Sequence, residues 1–243
     1  MKNKWNLVTL LESKMIGTNV MALVFDAPWW PGHTPGQYID IRLTAANGYQ
    51  AERSYSVAST IEEEGRIELG IELLEEGEVS PYLFALEPGA QIEVRGPLGG
   101  HFLWDIATPG PLVLIGGGSG VVPLMSMVRH HKLHLSDDSE REVFFLISAK
   151  TIGHVLYKDE LEKFSRDDVN FHLALTLTEE APIGWTGYAR RADEVMINEL
   201  FGELHDKRPL FYVCGSNSFV ETLSGILVAA GFNPKSIKTE RFG

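Results

Sequence analysis

The periodicity of this chain changes once, and that change limits what it can fold into. From Asn6 to Arg95 apolar residues recur at alternate positions, as in Ile39-Asp40-Ile41-Arg42-Leu43, Arg66-Ile67-Glu68-Leu69 and Gln91-Ile92-Glu93-Val94-Arg95. Such alternation buries one face of a strand and wets the other. Turn dipeptides separate the runs: Pro31-Gly32, Pro35-Gly36, Asn47-Gly48, Glu64-Gly65, Glu76-Gly77 and Pro88-Gly89. Short strands at that spacing predict a small antiparallel barrel or sandwich. One short helix is expected from Ser80-Pro81, where Ser suits the cap and Pro the first helical position.

From Pro111 onward strands alternate with helices. A strand at 112–115 leads to a helix at 122–135, and a strand at 143–147 to a helix near 157–164. A strand at 171–177 and a helix at 194–204 follow; a strand at 210–213, a helix near 218–230 and a short strand at 236–239 end the chain. This pattern predicts a parallel sheet with helices on both faces. The boundary between the two patterns falls in 96–111, and no internal repeat is present.

Charge and cysteine content exclude several functions. A net charge of −12 opposes binding to nucleic acid or to an anionic membrane surface. The single cysteine, Cys214, permits no intrachain disulfide, no iron–sulfur cluster and no cysteine-based zinc site. Of the eight histidines, His130, His131 and His134 share one amphipathic stretch. No acidic ligand stands at helical spacing among them, so a solvated helix face is expected and no metal. The apolar run from Trp5 to Leu11 is short, is broken by Thr9 and lacks a cleavage signal, so the protein is expected to be cytoplasmic and untargeted.

Five motifs carry chemistry. Arg53-Ser54-Tyr55-Ser56 places an Arg, an aromatic and two hydroxyls on one strand, a set able to hold a phosphorylated planar cofactor or to form an ordinary amphipathic strand. Gly77-Glu78-Val79-Ser80 is a turn into the short helix, where free N–H groups could meet a pyrophosphate. Gly116-Gly117-Gly118-Ser119-Gly120 joins a buried-looking strand to a helix, the setting of a phosphate-binding turn, although it is not the G-x-G-x-x-G fingerprint. Cys214-Gly215 closes a later parallel strand, the edge where doubly wound sheets bind ligands. Glu240-Arg241-Phe242 ends in an aromatic that frays or plugs a groove.

In this order the motifs, together with Pro35-Gly36-Gln37-Tyr38 and Gly96-Pro97-Leu98-Gly99, resemble the ferredoxin–NADP reductase family of flavoprotein reductases. The resemblance is nearest to stand-alone reductases that look like oxygenase reductase components without the iron–sulfur domain. It implies a six-stranded Greek-key β-barrel binding FAD over 1–106 and an α/β parallel-sheet domain binding NAD(P)H over 107–243. It also implies roles. Arg53 would bind the flavin pyrophosphate with amides of Gly77, Glu78, Val79 and Ser80; Tyr55, beside Ser54, would pack on the flavin, and Ser56 would hydrogen-bond its N5. Gly117, Gly118, Ser119 and Gly215 would admit the dinucleotide, Cys214 would lie near the nicotinamide C4, Glu240 would be the active-site carboxylate, and Phe242 would cover the flavin.

Two departures bear on specificity. Ser148-Ala149-Lys150-Thr151 offers Lys where NADPH-specific relatives place Arg, and Thr178-Glu179 offers acid where a 2′-phosphate would want a base. Arg190 and Arg191 could restore NADPH binding, so the choice stays open with a lean to NADH. Gly243 extends one residue beyond the aromatic. The expected activity is NAD(P)H-dependent reduction of FAD, followed by electron transfer to a separate acceptor: a ferredoxin, an oxygenase component or a similar redox partner. A non-catalytic flavin-binding relay protein and a flavin-free dehydrogenase are the alternatives.

Overall fold

In the first half, the alternating residues fold as their period dictates. The structure, a computed structural model, describes residues 4–63, 65–134 and 140–242. Strands β1 (Asn6–Gly17), β2 (Val20–Asp26), β3 (Tyr38–Thr44), β4 (Gln50–Ser56), β5 (Arg66–Glu72) and β6 (Gln91–Leu98) form an antiparallel sheet ordered β4-β3-β6-β1-β2-β5. Ile39 and Ile41 of β3 and Ile67 and Leu69 of β5 point inward and are fully buried. The end strands close the barrel where Val57 bridges Leu69 and the Ala58 N–H donates to the Glu68 carbonyl at 2.8 Å. Helix α1 (Ser80–Phe84) lies between β5 and β6 and carries Pro in its first turn.

The second half holds β7 (Leu112–Gly117), β8 (Val143–Ala149), β9 (Phe171–Leu177), β10 (Leu210–Ser216) and β11 (Ile237–Phe242), all parallel, in the order β11-β10-β7-β8-β9. Their apolar residues serve both faces, as a sheet covered on two sides requires. Leu112, Leu114 and Phe145 face α2 (Val121–Leu133) and α3 (Lys158–Asp167). Val113, Ile115 and Val213 face α4 (Glu194–Phe201) and α5 (Asn217–Ala229). α4 ends earlier than its sequence pattern, because Gly202 caps it and the chain continues as a 3-10 turn over Gly202–Lys207. β11 runs further than expected and takes in the terminal motif, pairing Cys214 with Glu240 and Ser216 with Phe242. Glu64 of one expected turn, Leu135 of the second expected helix and Gly243 lie outside the described residues.

α2 is wedged between the sheet and the barrel. His130 and His131 are therefore buried, at 9% and 1% exposure, where a solvated helix face was expected. Arg129 bonds the two halves. Its Nε and Nη2 donate to both oxygens of Glu160 at 2.7 and 2.8 Å, and its Nη1 donates to the Ala58 carbonyl and pairs with Glu68, both at 3.0 Å. The Tyr157 hydroxyl donates to the other Glu68 oxygen at 2.9 Å, and the Ser126 hydroxyl to the Ser59 carbonyl at 2.8 Å. Burial alone would lower the Arg129 pKa, but its bonds to Glu160 and the charge on Glu68 raise it, so the guanidinium stays charged. One apolar core spans the boundary, joining Val20 and Ala58 of the barrel half and Phe102 and Trp104 of the connecting segment to the sheet's side chains.

Candidate active site

Every parallel strand ends at one cleft of about 1010 Å³, whose opposite wall is the barrel. Gly117 from β7, Ser148 from β8 and Lys150 just after it, Thr178 and Glu179 after β9, Ser216 from β10 and Phe242 from β11 all line it. Open α/β sheets bind ligands at this edge because the helices that follow the strands aim their free N–H groups there. Two turns bring those groups close. Gly118 adopts φ +56 to start the turn into α2, and a Cβ on Gly120 would collide with the Cys214 carbonyl. On the other side, Ser216 caps α5 by accepting from the Phe219 N–H.

The barrel wall is the outer edge of β4, unpaired along the strand until the Val57–Leu69 bridge that follows it. Strands alternate their side chains, but an edge strand can present both faces to one cleft. Arg53, Ser54, Tyr55 and Ser56 all reach it, with Gly77, Glu78, Val79 and Ser80 beside them. Arg53 is occupied: it donates to the Glu52 carbonyl at 2.7 Å and pairs with Glu78 at 3.6 Å. Glu78 also accepts from the Tyr49 hydroxyl at 3.1 Å. Ser54 donates to Asp40 at 2.7 Å, and the Ser80 hydroxyl accepts from the Leu74 N–H at 3.0 Å. Burial pushes the Tyr55 hydroxyl up to about 12, so it keeps its proton at physiological pH.

The two walls meet at Ser56, whose hydroxyl donates to Glu240 at 3.4 Å. Burial pushes the Glu240 carboxyl up to about 7, against the pull of that hydrogen bond. Cys214 lies beside Glu240 as its register partner on the neighbouring strand and is fully buried; Cys214, Gly215 and Glu240 are all set back from the cleft wall. Burial and the nearby Glu240 charge hold the Cys214 thiol well above its ordinary value, so it is a neutral packing group here.

At the far end Lys150 and Glu179 are ion-paired at 3.7 Å, both exposed. Arg191 lines the cleft, whereas Arg190 is turned to Asp193 at 2.8 Å. Arg53, Lys150, Arg191 and Arg241 line the cleft together with Glu72, Glu78 and Glu179, so its charges nearly balance in a chain whose net charge is −12. Sequence reasoning reached Ser216, the last residue of the strand motif Tyr212-Val213-Cys214-Gly215-Ser216, but missed Ser218 and Phe219 just beyond it at the same sheet edge. It also missed Asn19 and Glu72, which the β1–β2 turn and β5 bring to the barrel wall.

Residues 7–103 match the family described as Oxidoreductase FAD-binding domain, and residues 114–224 that described as Oxidoreductase NAD-binding domain. Ferredoxin–NADP reductase B of Sorangium cellulosum is 30% identical over 210 residues, covering 85% of this chain and 84% of that protein. The chain belongs to the ferredoxin–NADP reductase family. It is a flavin-dependent oxidoreductase that takes FAD as cofactor and a nicotinamide dinucleotide as substrate. One component of the Na(+)-translocating NADH-quinone reductase of Methylococcus capsulatus is 30% identical over 209 residues, 79% of this chain but 49% of that protein. The reductase thus spans about half the length of that relative. The ferredoxin NADP+ reductase of Neisseria gonorrhoeae, solved with FAD and NADP bound, shares the fold with a TM-score of 0.81, 20% identity and 98% coverage of both chains.

The cleft of this reductase suits both groups. Its barrel wall offers a guanidinium, a half-buried phenol and a turn of backbone amides, the donor set for a pyrophosphate and an aromatic ring. Its sheet wall is floored by glycine: a Cβ on Gly117 would press on the Phe219 ring at 3.2 Å, while Gly118 faces open space. Among the described residues no helix is long and apolar enough to cross a membrane.

Proposed function

We propose that the protein transfers hydride from NADH or NADPH to bound FAD and passes the electrons to a separate redox protein of the ferredoxin or oxygenase-component kind. The observation that carries this reading is the Ser56–Glu240 hydrogen bond, which ties the flavin-type wall of the cleft, at Ser56, to the last strand of the nucleotide-type sheet. Arg53, once released from Glu78, and the amides of residues 78–80 would hold the FAD pyrophosphate, with Ser54 and Tyr55 along the ring and ribityl chain; the Gly77 N–H, expected to join them, is held by the Leu74 carbonyl at 2.8 Å. Ser56 would turn its single proton from Glu240 to flavin N5, and Glu240 would hold or release a proton beside it near neutral pH. Phe242 would cover the ring face and yield to nicotinamide; Gly117, Gly118, Ser119, Ser148 and Thr178 would seat the dinucleotide, backed by Gly215 and by the buried Cys214 that supports Glu240.

Lys150 neutralised by Glu179 favours NADH, whose ribose diol suits a carboxylate. We assign the flavin unit to 1–106 and the nucleotide unit to 107–243, supported by the gap between the last barrel strand at Leu98 and the first parallel strand at Leu112. A cytoplasmic location fits a chain with one cysteine and a net charge of −12. The Sorangium relative's name supports a ferredoxin-type acceptor. Anaerobic titration with NADH and then NADPH tests the whole reading. Bleaching of the flavin absorbance supports it; a yellow protein that neither nucleotide bleaches is an electron relay, and a colourless one is a flavin-free dehydrogenase.

A further inference from the structure

We propose that Glu62, His130 and His134 form a binding site for one zinc ion, which ties the β4–β5 loop of the barrel to α2. The three ligand atoms lie within 4.8 Å of one another. His130 Nδ1 is 2.9 Å from Glu62 Oε1, and His134 Nε2 is 3.8 Å from the same oxygen. Those two distances bracket the about 3.3 Å that separates donors around a tetrahedral zinc with ligands at about 2.0–2.1 Å.

The orientation of His134 is the second observation. Its Nδ1 lies 2.9 Å from the His130 carbonyl, which can only accept, so Nδ1 carries the proton and Nε2 carries the lone pair. That lone pair belongs to the nitrogen nearer Glu62. A backbone carbonyl fixing the tautomer of a ligating histidine is how metal sites are commonly held. His130 is set by packing: its ring meets Trp104 edge-on at 5.8 Å and lies 4.5 Å from the His134 ring. Loading the ion replaces the His130–Glu62 hydrogen bond, and the His130 proton moves from Nδ1 to Nε2, so no net proton is released.

Ligand chemistry narrows the choice of ion. Two imidazoles and one carboxylate suit zinc-class ions and disfavour magnesium and calcium, which take oxygen. Glu62 and His134 side chains are 35% and 29% exposed, leaving a path to solvent for the ion and for a fourth, water ligand. The helical spacing of His130 and His134 supplies two ligands, and the acid comes from the other half of the molecule.

Calorimetric titration of tag-free, FAD-loaded, chelator-washed protein with zinc chloride tests the site. One equivalent should bind with a dissociation constant on the order of micromolar, and Glu62→Gln and His134→Ala should each weaken it by about tenfold or more with the flavin spectrum unchanged. Zinc should also raise the melting temperature of the wild type and not of Glu62→Gln. Absence of saturable binding, or equal affinity in the wild type and both variants, would overturn the proposal and leave an ordinary surface ion pair.

Discussion

The Ser56 hydroxyl donates to Glu240 at 3.4 Å although the two residues stand 184 positions apart, one on the barrel's edge strand and one on the last strand of the parallel sheet. The contact is possible only when both halves are docked. Burial there pushes the Glu240 carboxyl up to about 7, against the pull of the Ser56 hydrogen bond.

Glu240 therefore makes stability depend on pH. An unfolded Glu ionises near 4.5, the folded one near 7, so its neutral form contributes stability that is fully present below 4.5 and is lost as pH rises toward 7. Glu240→Gln removes that loss. The variant should gain on the wild type between pH 4.5 and 7, by at most about 3 kcal/mol. Urea midpoints at pH 5 and pH 8 decide it; a constant difference would mean that the carboxylate is solvated.

Ser56→Ala should slow anaerobic flavin reduction by about a hundredfold while weakening FAD binding by no more than about fivefold, the loss of one neutral hydrogen bond. Stopped-flow reduction and flavin dissociation, measured side by side, separate the two. Equal losses would remove Ser56 from the reaction and leave it a binding group.

Glu179→Ala should free Lys150 for a 2′-phosphate and shift kcat/KM toward NADPH by about tenfold relative to NADH. The exposed pair is worth under about 1 kcal/mol, so folding should not change. Lys150→Ala should move the ratio the other way. An unchanged ratio in both variants would place the adenosine end elsewhere.

Arg129→Met should destabilise the protein by about 3–5 kcal/mol, because Glu68 and Glu160 would keep their charges without a cationic partner. Denaturant midpoints measure this. A loss below about 1 kcal/mol would show that water replaces the guanidinium.

The strands and helices were legible in the sequence because periodicity is local. Ile39 and Ile41 declare a buried face within five residues of chain. The pairing of Cys214 with Glu240 was not legible, since parallel register is a long-range property and the terminal motif reads as a free tail until β11 is seen beside β10. Lys150 and Glu179 looked like opposing signals for two nucleotides; in space they cancel each other. His130 and His131 looked solvated because one helix's pattern cannot show that the barrel covers its outer side. For the same reason a search at helical spacing could not find Glu62, which reaches His130 from another strand's loop.

Phe102 and Trp104 sit in the segment between the two sheets, yet they belong to the same apolar core as Leu114, Phe145 and Tyr212. A linker that is itself core cannot act as a tether. Heating should melt barrel and sheet together in one calorimetric transition, with the van 't Hoff and calorimetric enthalpies agreeing. Either half expressed alone would present Val20, Ala58 or Val122 to water and should aggregate, so this enzyme resists being divided into exchangeable modules.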